Sequence, residues 1–253
     1  MLIESFRNSQ VAKLYVMDYG LFQVHSNGRI IGITGSLIET DDGKRVLVDS
    51  GFSTKYLVDR EEASREDKLD EFGRILELGP ENMPAGQLAR IGLTPHDIDL
   101  QILTHTHIDH VGGIADFTHV PMVVHRAERA LARPLYWAGL QPIDWPEEQV
   151  YIEVEGDVEL FPGLTLLETP GHTPGQMSLL VDLPDSGAVI LASDTISRPE
   201  ELEGRFEGYW RAELAEKSAR RLMSLAAERD AFVIFGHCPE QWPTLKKIPE
   251  FYG

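Results

Sequence analysis

Over most of the chain the apolar residues fall in short runs broken by Gly, Pro and Asp, the pattern of strands more than of long helices. VAKLYVMDYG, RIIGITGSLIET and KRVLVDSG read as three strands, with TDDGK as a hairpin turn between the last two. From about Arg60 to Arg90 the composition turns charged, and Leu88, Ile91 and Leu93 close a helix-like segment that Pro95 ends. This stretch reads as a loop carrying helices on the outside. DLQILTHTH is an apolar run leading into histidines, and VPMVVHRAERALARP reads as a strand followed by a helix. From Gln149 to Asp194 strands return, in QVYIEVEG, VELFPGLTLLETPG and QMSLLVDLPDSGAVILASD, so that the second half repeats the plan of the first. Leu214, Ala215, Ser218, Leu222, Leu225 and Ala226 recur at helical spacing before AFVIFGH, read as a compact buried strand ending at His237. No linker, low-complexity run or short repeat interrupts the pattern. It predicts one α/β domain over residues 1–253, two sheets flanked by helices.

Composition narrows the partners. A chain of 253 residues, 42% hydrophobic, can bury a full core. Its 23 basic and 41 acidic residues leave a net charge of -18, which repels phosphate-rich partners and counts against nucleic-acid binding. No segment reads as a signal peptide or as the roughly 20 apolar residues that span a bilayer, so no membrane partner is expected. The single cysteine, Cys238, cannot form an internal disulfide and fits a reducing compartment; the expected location is cytoplasmic.

The hexapeptide HTHIDH, His105 to His110, adds candidate chemistry. In an extended segment His105 and His107 point the same way, and two imidazoles at that spacing make half a zinc site. Asp109 and His110 come where VGG lets the chain turn, so they aim at a second point, and the spacing suggests two metals. The remaining ligands must come from elsewhere: His172 in TPGHTPG, Asp194 ending AVILASD and His237 ending AFVIFG each terminate an apolar strand ahead of a loop. Burying so many titratable groups for packing alone is costly. His25, His96, His119 and His125 carry no such pattern and read as ordinary core or surface residues.

HTHIDHVGG, TPGHTPGQMSL, LASD and FGH, in this order, resemble the metallo-β-lactamase superfamily, with similarity from VDSG (Val48 to Gly51) through the closing KKIPEFYG. The resemblance implies an α/β fold, the αββα four-layer sandwich of the metallo-β-lactamase type, with metals in a cleft between the sheets. Carried over by position, His105, His107 and His172 would hold one metal, Asp109, His110 and His237 the other, and Asp194 would bridge them. Two divalent ions, zinc first and manganese, iron or cobalt as alternatives, are therefore the expected cofactors.

Within the superfamily the long section before HTHIDH, the segment PMVVHRAE, the strand-rich VELFPGLTLLETPGHTPGQMSLLV and the ending FGHCPEQW to PEFYG look most like the N-acyl homoserine lactonases and γ-butyrolactonases. That implies a quorum-quenching hydrolase opening a lactone through a metal-bridging hydroxide, with Asp109 passing its proton to the leaving alkoxide. Glyoxalase II thioesterases share the ligand set but add a helical domain, for which the sixteen residues after His237 are too few. One departure stands out: the lactonases place an oxyanion-binding tyrosine three residues beyond the bridging aspartate, where this chain has Ser197. Either Ser197 donates instead, or Tyr209 or Trp210 reaches the cleft, or the substrate is another lactone, ester or amide. Asp109, Asp194, Ser197 and Tyr209 are thus the catalytic candidates, and Cys238 reads as a plain reduced thiol. Loops around Tyr19 to Arg29 and Tyr136 to Trp145 suit a hydrophobic substrate pocket and dimer contacts equally, leaving monomer and homodimer both open.

Overall fold

The computed structural model describes residues 3–203, 206 and 208–253. Strands β1 (Val11–Val24), β2 (Ile30–Thr40), β3 (Arg45–Val48), β4 (Gly73–Glu77), β5 (Leu100–Leu103), β6 (Met122–His125) and β7 (Tyr151–Val154) form one sheet, in the order β4-β1-β2-β3-β5-β6-β7. Strands β8 (Val158–Phe161), β9 (Leu164–Glu168), β10 (Met177–Leu183), β11 (Gly187–Ser193) and β12 (Phe232–Phe235) form the second, in the order β12-β11-β10-β9-β8. Each sheet begins with antiparallel hairpins and finishes with parallel pairing: β3, β5, β6 and β7 run parallel, as do β11 and β12. The helices are α1 (Lys55–Val58), α2 (Arg60–Glu66), α3 (Pro84–Ala89), α4 (Ile108–Val111), α5 (Arg126–Arg129) and α6 (Ala212–Arg229).

Strand periodicity explains the layers. Side chains alternate across a strand, so a strand that is apolar on both faces must be covered on both. Leu14, Val16, Leu100 and Ile102 turn inward to meet Leu166, Leu179, Val181 and Leu191 of the other sheet. Their neighbours Tyr15, Met17 and Leu103 turn outward, where Tyr56, Leu88, Val111 and Phe117 cover them. On the far side Leu167, Leu180 and Ile190 face Ala215, Ala219, Leu222 and Ala226 of α6. The result is an αββα sandwich. No described helix is long and apolar enough to cross a membrane.

Three local expectations change. The Arg60 to Arg90 stretch contains a strand, β4, which pairs antiparallel with the end of β1; Gly73 and Ile75 are buried while Arg74 and Glu77 are exposed, so one face of the strand packs inward. The segment QVYIEVEG supplies β7 to the first sheet, beside β6, so strands from Gln149 onward do not all belong to the second half. AFVIFGH forms an edge strand, β12, with Ile234 buried and Phe232 43% exposed, since only β11 pairs with it.

Candidate metal centre

The site is assembled at strand ends. β5 stops at Leu103, and the next residue, Thr104, is held by Asp49 just past β3: its backbone N–H and its hydroxyl each donate to the Asp49 carboxylate at 2.8 Å. Asp49 has φ of 58°, a left-handed turn that aspartate tolerates better than most residues. His105 and His107 follow, beyond the strand itself, and Asp109 and His110 sit on the short α4. The glycine after it is required: a Cβ on Gly112 would lie 2.2 Å from the backbone of Phe52 and Ser53, so only glycine lets α4 settle on that turn. Likewise a Cβ on Gly171, at φ of 143°, would lie 2.3 Å from the Ala215 backbone, so the turn carrying His172 presses directly on α6.

These elements bring His105, His107, Asp109, His110, His172, Asp194 and His237 into one cluster. Asp194 lies at its centre. Its Oδ2 is 3.2 Å from His172 Nε2 and 3.8 Å from His105 Nε2, while its Oδ1 is 3.2 Å from His237 Nε2 and 3.6 Å from His110 Nε2. Asp109 Oδ2 is 3.5 Å from His237 Nε2 and 3.7 Å from His110 Nε2. Nδ1 of His107 and Nε2 of His172 are 2.8 Å apart. Three overlapping sets therefore have ligand atoms within 4.8 Å of one another: His105, His107 and His172; His105, His110 and Asp194; Asp109, His110 and His237.

The cluster fits divalent cations. His105 Nε2, His110 Nε2 and Asp194 Oδ1 are buried and have no hydrogen-bond partner, at a cost of about 1–3 kcal/mol for each such group unless something else binds it. The other ring nitrogens are engaged: His110 Nδ1 lies 2.8 Å from Asp49 Oδ2, His237 Nδ1 lies 3.0 Å from the Gly32 carbonyl, and His105 Nδ1 lies 3.2 Å from the Thr104 hydroxyl. Anchoring one nitrogen orients the other toward the cluster. Imidazoles and carboxylates without thiolate suit zinc, manganese, iron or cobalt.

Electrostatics divide the histidines. Burial, then the neighbouring His110 and His172 charges respectively, hold His105 and His107 well below the usual imidazole range, so both rings are neutral. Burial also opposes charge on His110, but Asp109, Asp49 and Asp194 outweigh it and raise the ring to about 10. At His237 burial is likewise outweighed, by Asp194 and Asp109, and the ring rises to about 9. Burial favours a neutral Asp194, yet His237, His172 and His110 pull it well below the ordinary carboxyl range.

A cavity of about 470 Å³ opens over the cluster, reaching His107, Asp109, His172, Asp194 and His237. Ser197 and Tyr209 both line it, with Ser197 Oγ 3.3 Å from Tyr209 Oη. The Tyr209 ring packs edge-on against His172 at 4.6 Å, and its hydroxyl donates to Glu201 Oε2 at 3.0 Å. Trp210 is 52% exposed and lines an adjoining hollow instead. Of the two loops, Phe22, Val24, Arg29 and Trp137 line the cavity, whereas Tyr19 and Trp145 pack into the core. His25, His96 and His119 are exposed, and His125 is buried with Nδ1 accepting the Ala127 N–H. Cys238 is buried, its thiol raised by burial and facing Glu240 at 3.5 Å.

Two supporting carboxyls went unrecognised as site residues in the sequence. Asp49 stood in plain view in VDSG, and its partner was hidden 61 residues away. Glu128, fully buried, accepts from Thr106 N and Oγ1 and from Gly175 N, tying the His107 segment to the His172 loop. An acidic residue in a charged helix gives no sign of that role.

The family model described as Metallo-beta-lactamase superfamily matches residues 32–237. The chain belongs to the metallo-β-lactamase superfamily. Among relatives in the superfamily, N-acyl homoserine lactonase AiiA of Bacillus thuringiensis subsp. kurstaki is 34% identical over 223 residues, covering 85% of this chain and 84% of its own. N-acyl homoserine lactonase AttM of Agrobacterium fabrum is 32% identical over 183 residues, covering 66% and 68%. A solved structure of a B. thuringiensis AiiA variant with N-decanoyl-L-homoserine at its active site is 30% identical with a TM-score of 0.83, covering 96% of this chain and 100% of that one. An N-acyl homoserine lactone hydrolase with N-hexanoyl-L-homoserine at its catalytic metal centre is 30% identical with a TM-score of 0.81, at the same coverage.

Proposed function

We propose that residues 1–253 form one metal-dependent hydrolase domain that opens N-acyl homoserine lactones or a related small lactone, using two zinc ions per chain. The observation that carries this reading is Asp194, whose two oxygens each face a pair of histidines at the floor of the cavity. The lactonase relatives support the substrate class. In this reading His105, His107 and His172 would hold one ion, Asp109, His110 and His237 the other, and Asp194 would serve both. When bound, such a pair supplies a nucleophile derived from water at neutral pH and a Lewis acid for the carbonyl.

The chain's own groups complete the reaction. Water adds to the lactone carbonyl carbon, the ring C–O bond breaks, and the released proton ends on the departing ring oxygen. Asp109, partly open to the cavity, holds that proton in transit on its carboxylate. Tyr209 supplies the hydroxyl for the carbonyl oxygen as it gains charge, its single O–H turning from Glu201 Oε2 to the substrate. Burial, with Glu201 and Asp194 adding to it, raises the phenol far above its ordinary range, so it keeps the proton it donates. Ser197 stands beside it as a shorter donor. The apolar wall of Phe22, Ile33, Phe72 and Trp137 receives the acyl arm.

A second reading, hydrolysis of a different lactone, ester or amide, rests on Ser197 occupying the position where the lactonases carry tyrosine. The enzyme acts on a small molecule in the cytoplasm, as a monomer or homodimer, and not on nucleic acid, in keeping with the net charge of -18 and the single thiol. The test is ring opening, followed by proton release in weak buffer, by zinc-reconstituted protein offered N-acyl homoserine lactones beside simple γ- and δ-lactones. Preference for the acylated compounds supports the first reading; turnover only of other rings or esters replaces it with the second.

A further inference from the structure

The surface is strongly acidic, yet two guanidiniums line the cavity. Arg29 comes from the turn before β2 and Arg198 from the loop four residues past Asp194. Among the described residues no carboxylate forms an ion pair with either, whereas Arg126, Arg133 and Arg221 pair with Glu155, Asp144 and Asp157. The Nε of Arg29 and the Nε of Arg198 are both buried without a hydrogen-bond partner. Burial, and then the positive field of Arg198, lowers the Arg29 guanidinium from its usual value. Two like charges held together in a partly dry cleft are unfavourable for the free protein, which is the arrangement expected where an anion is received.

Glu201 and Glu200 both act on Arg29 as counter-charges, and the buried one, Glu201, is already committed. Glu201 Oε2 accepts the Ser197 N–H at 2.7 Å and the Tyr209 hydroxyl at 3.0 Å. The same cavity carries the apolar wall of Phe22, Ile33, Phe72 and Trp137, so its ligand must join an apolar stretch to a negative group. An unbranched neutral acyl arm would leave both guanidiniums unpaired.

We propose that Arg29 and Arg198 form an anion-binding end to the substrate cleft, and that the preferred substrate is a lactone whose acyl arm ends in a carboxylate. This deepens the lactonase reading and rests on it. The two arginines come from separate loops and meet the carboxylate as forked donors, while the ring lies at the metal cluster. They set specificity and take no part in bond breaking.

The experiment compares N-adipoyl and N-hexanoyl homoserine lactone, matched in carbon count, on the zinc-loaded protein. The adipoyl compound should have the higher kcat/KM by about tenfold or more, as charge-assisted hydrogen bonds in a dry site permit. Arg29→Gln and Arg198→Gln should each lower that ratio, and raising salt from about 0.05 to 0.5 M should shrink it. A wild-type ratio of one or below, or a ratio that neither substitution changes, overturns the proposal. Binding gives a second readout, independent of turnover: ring-opened N-adipoyl-homoserine should bind the zinc-loaded protein about tenfold more tightly than N-hexanoyl-homoserine, and the double variant should lose the difference. If neither lactone is opened yet the adipoyl compound keeps its advantage, the lactonase reading fails while the anion site stands. Equal binding of the two ring-opened compounds to the wild type removes the anion site, whatever the lactones do.

Discussion

Asp49 Oδ2 lies 2.8 Å from His110 Nδ1, and on the opposite side of that imidazole Nε2 faces Asp194 Oδ1 at 3.6 Å. The relation orders the buried edge of the cluster, because the same carboxylate also takes both the N–H and the hydroxyl of Thr104, next to His105. One side chain thus fixes two segments of the cluster. Asp49→Asn keeps an acceptor for Thr104 and tolerates the left-handed backbone, but it weakens the hold on His110. Metal affinity should fall by roughly 10–100-fold, measured by competition with a chromophoric chelator. Unchanged affinity would assign Asp49 to the fold alone.

The histidine charges predict a proton-linked metal affinity. In the metal-free protein His110 is raised to about 10 and His237 to about 9, so both Nε2 atoms carry protons at neutral pH. A cation must displace those protons, whereas His105 and His107, held low, are already neutral. Affinity is therefore weakest on the acid side and rises as pH climbs through about 9 and then about 10, above which the gain from these two rings ends. Zinc titration at neutral pH in buffers of differing ionisation enthalpy should show release of about two protons per chain. A heat independent of buffer would contradict this.

Tyr209 and Ser197 separate by substitution. The phenol packs on His172 and lines the cavity, and removing a donor to a developing oxyanion typically costs about 10²–10³ in kcat. Tyr209→Phe should show that loss with zinc content preserved and KM little changed, since the bond strengthens only as the transition state forms. Ser197→Ala should cost less than about tenfold, because Tyr209 remains. The reverse ranking in steady-state kinetics would transfer the donor role to Ser197.

The layered fold was legible because strand periodicity is local: Leu14 and Val16 alternate with Tyr15 and Met17 in the chain as they do across the sheet. The cluster was legible because its residues are chemically unusual for strand ends. Other features depend on distant contacts. β4 reads as part of a charged loop until it pairs with Phe22 and Gln23, and β12 looks like a buried strand until its unpaired side is seen. Tyr209 shares no motif with Ser197, yet the two hydroxyls, twelve residues apart in the chain, lie 3.3 Å apart. Arg29 and Arg198 likewise have no sequence signature, since their significance lies in sharing a cavity.

Glu128 offers a test of how the site is braced. It is fully buried, with Oε2 accepting Thr106 Oγ1 at 2.6 Å and Thr106 N at 3.2 Å, and Oε1 accepting Gly175 N at 2.9 Å. Glu128→Ala leaves these donors without their acceptor and opens a cavity between the segments carrying His107 and His172. The expected loss is on the order of 2–5 kcal/mol, read as a lower urea midpoint at an unchanged slope. Glu128→Gln retains one acceptor oxygen and should lie between the two. A cation held by the cluster binds only the folded protein, so zinc loading should recover part of the loss in each variant. A Glu128→Ala midpoint equal to wild type in chelated protein would show that the two segments are braced by other contacts.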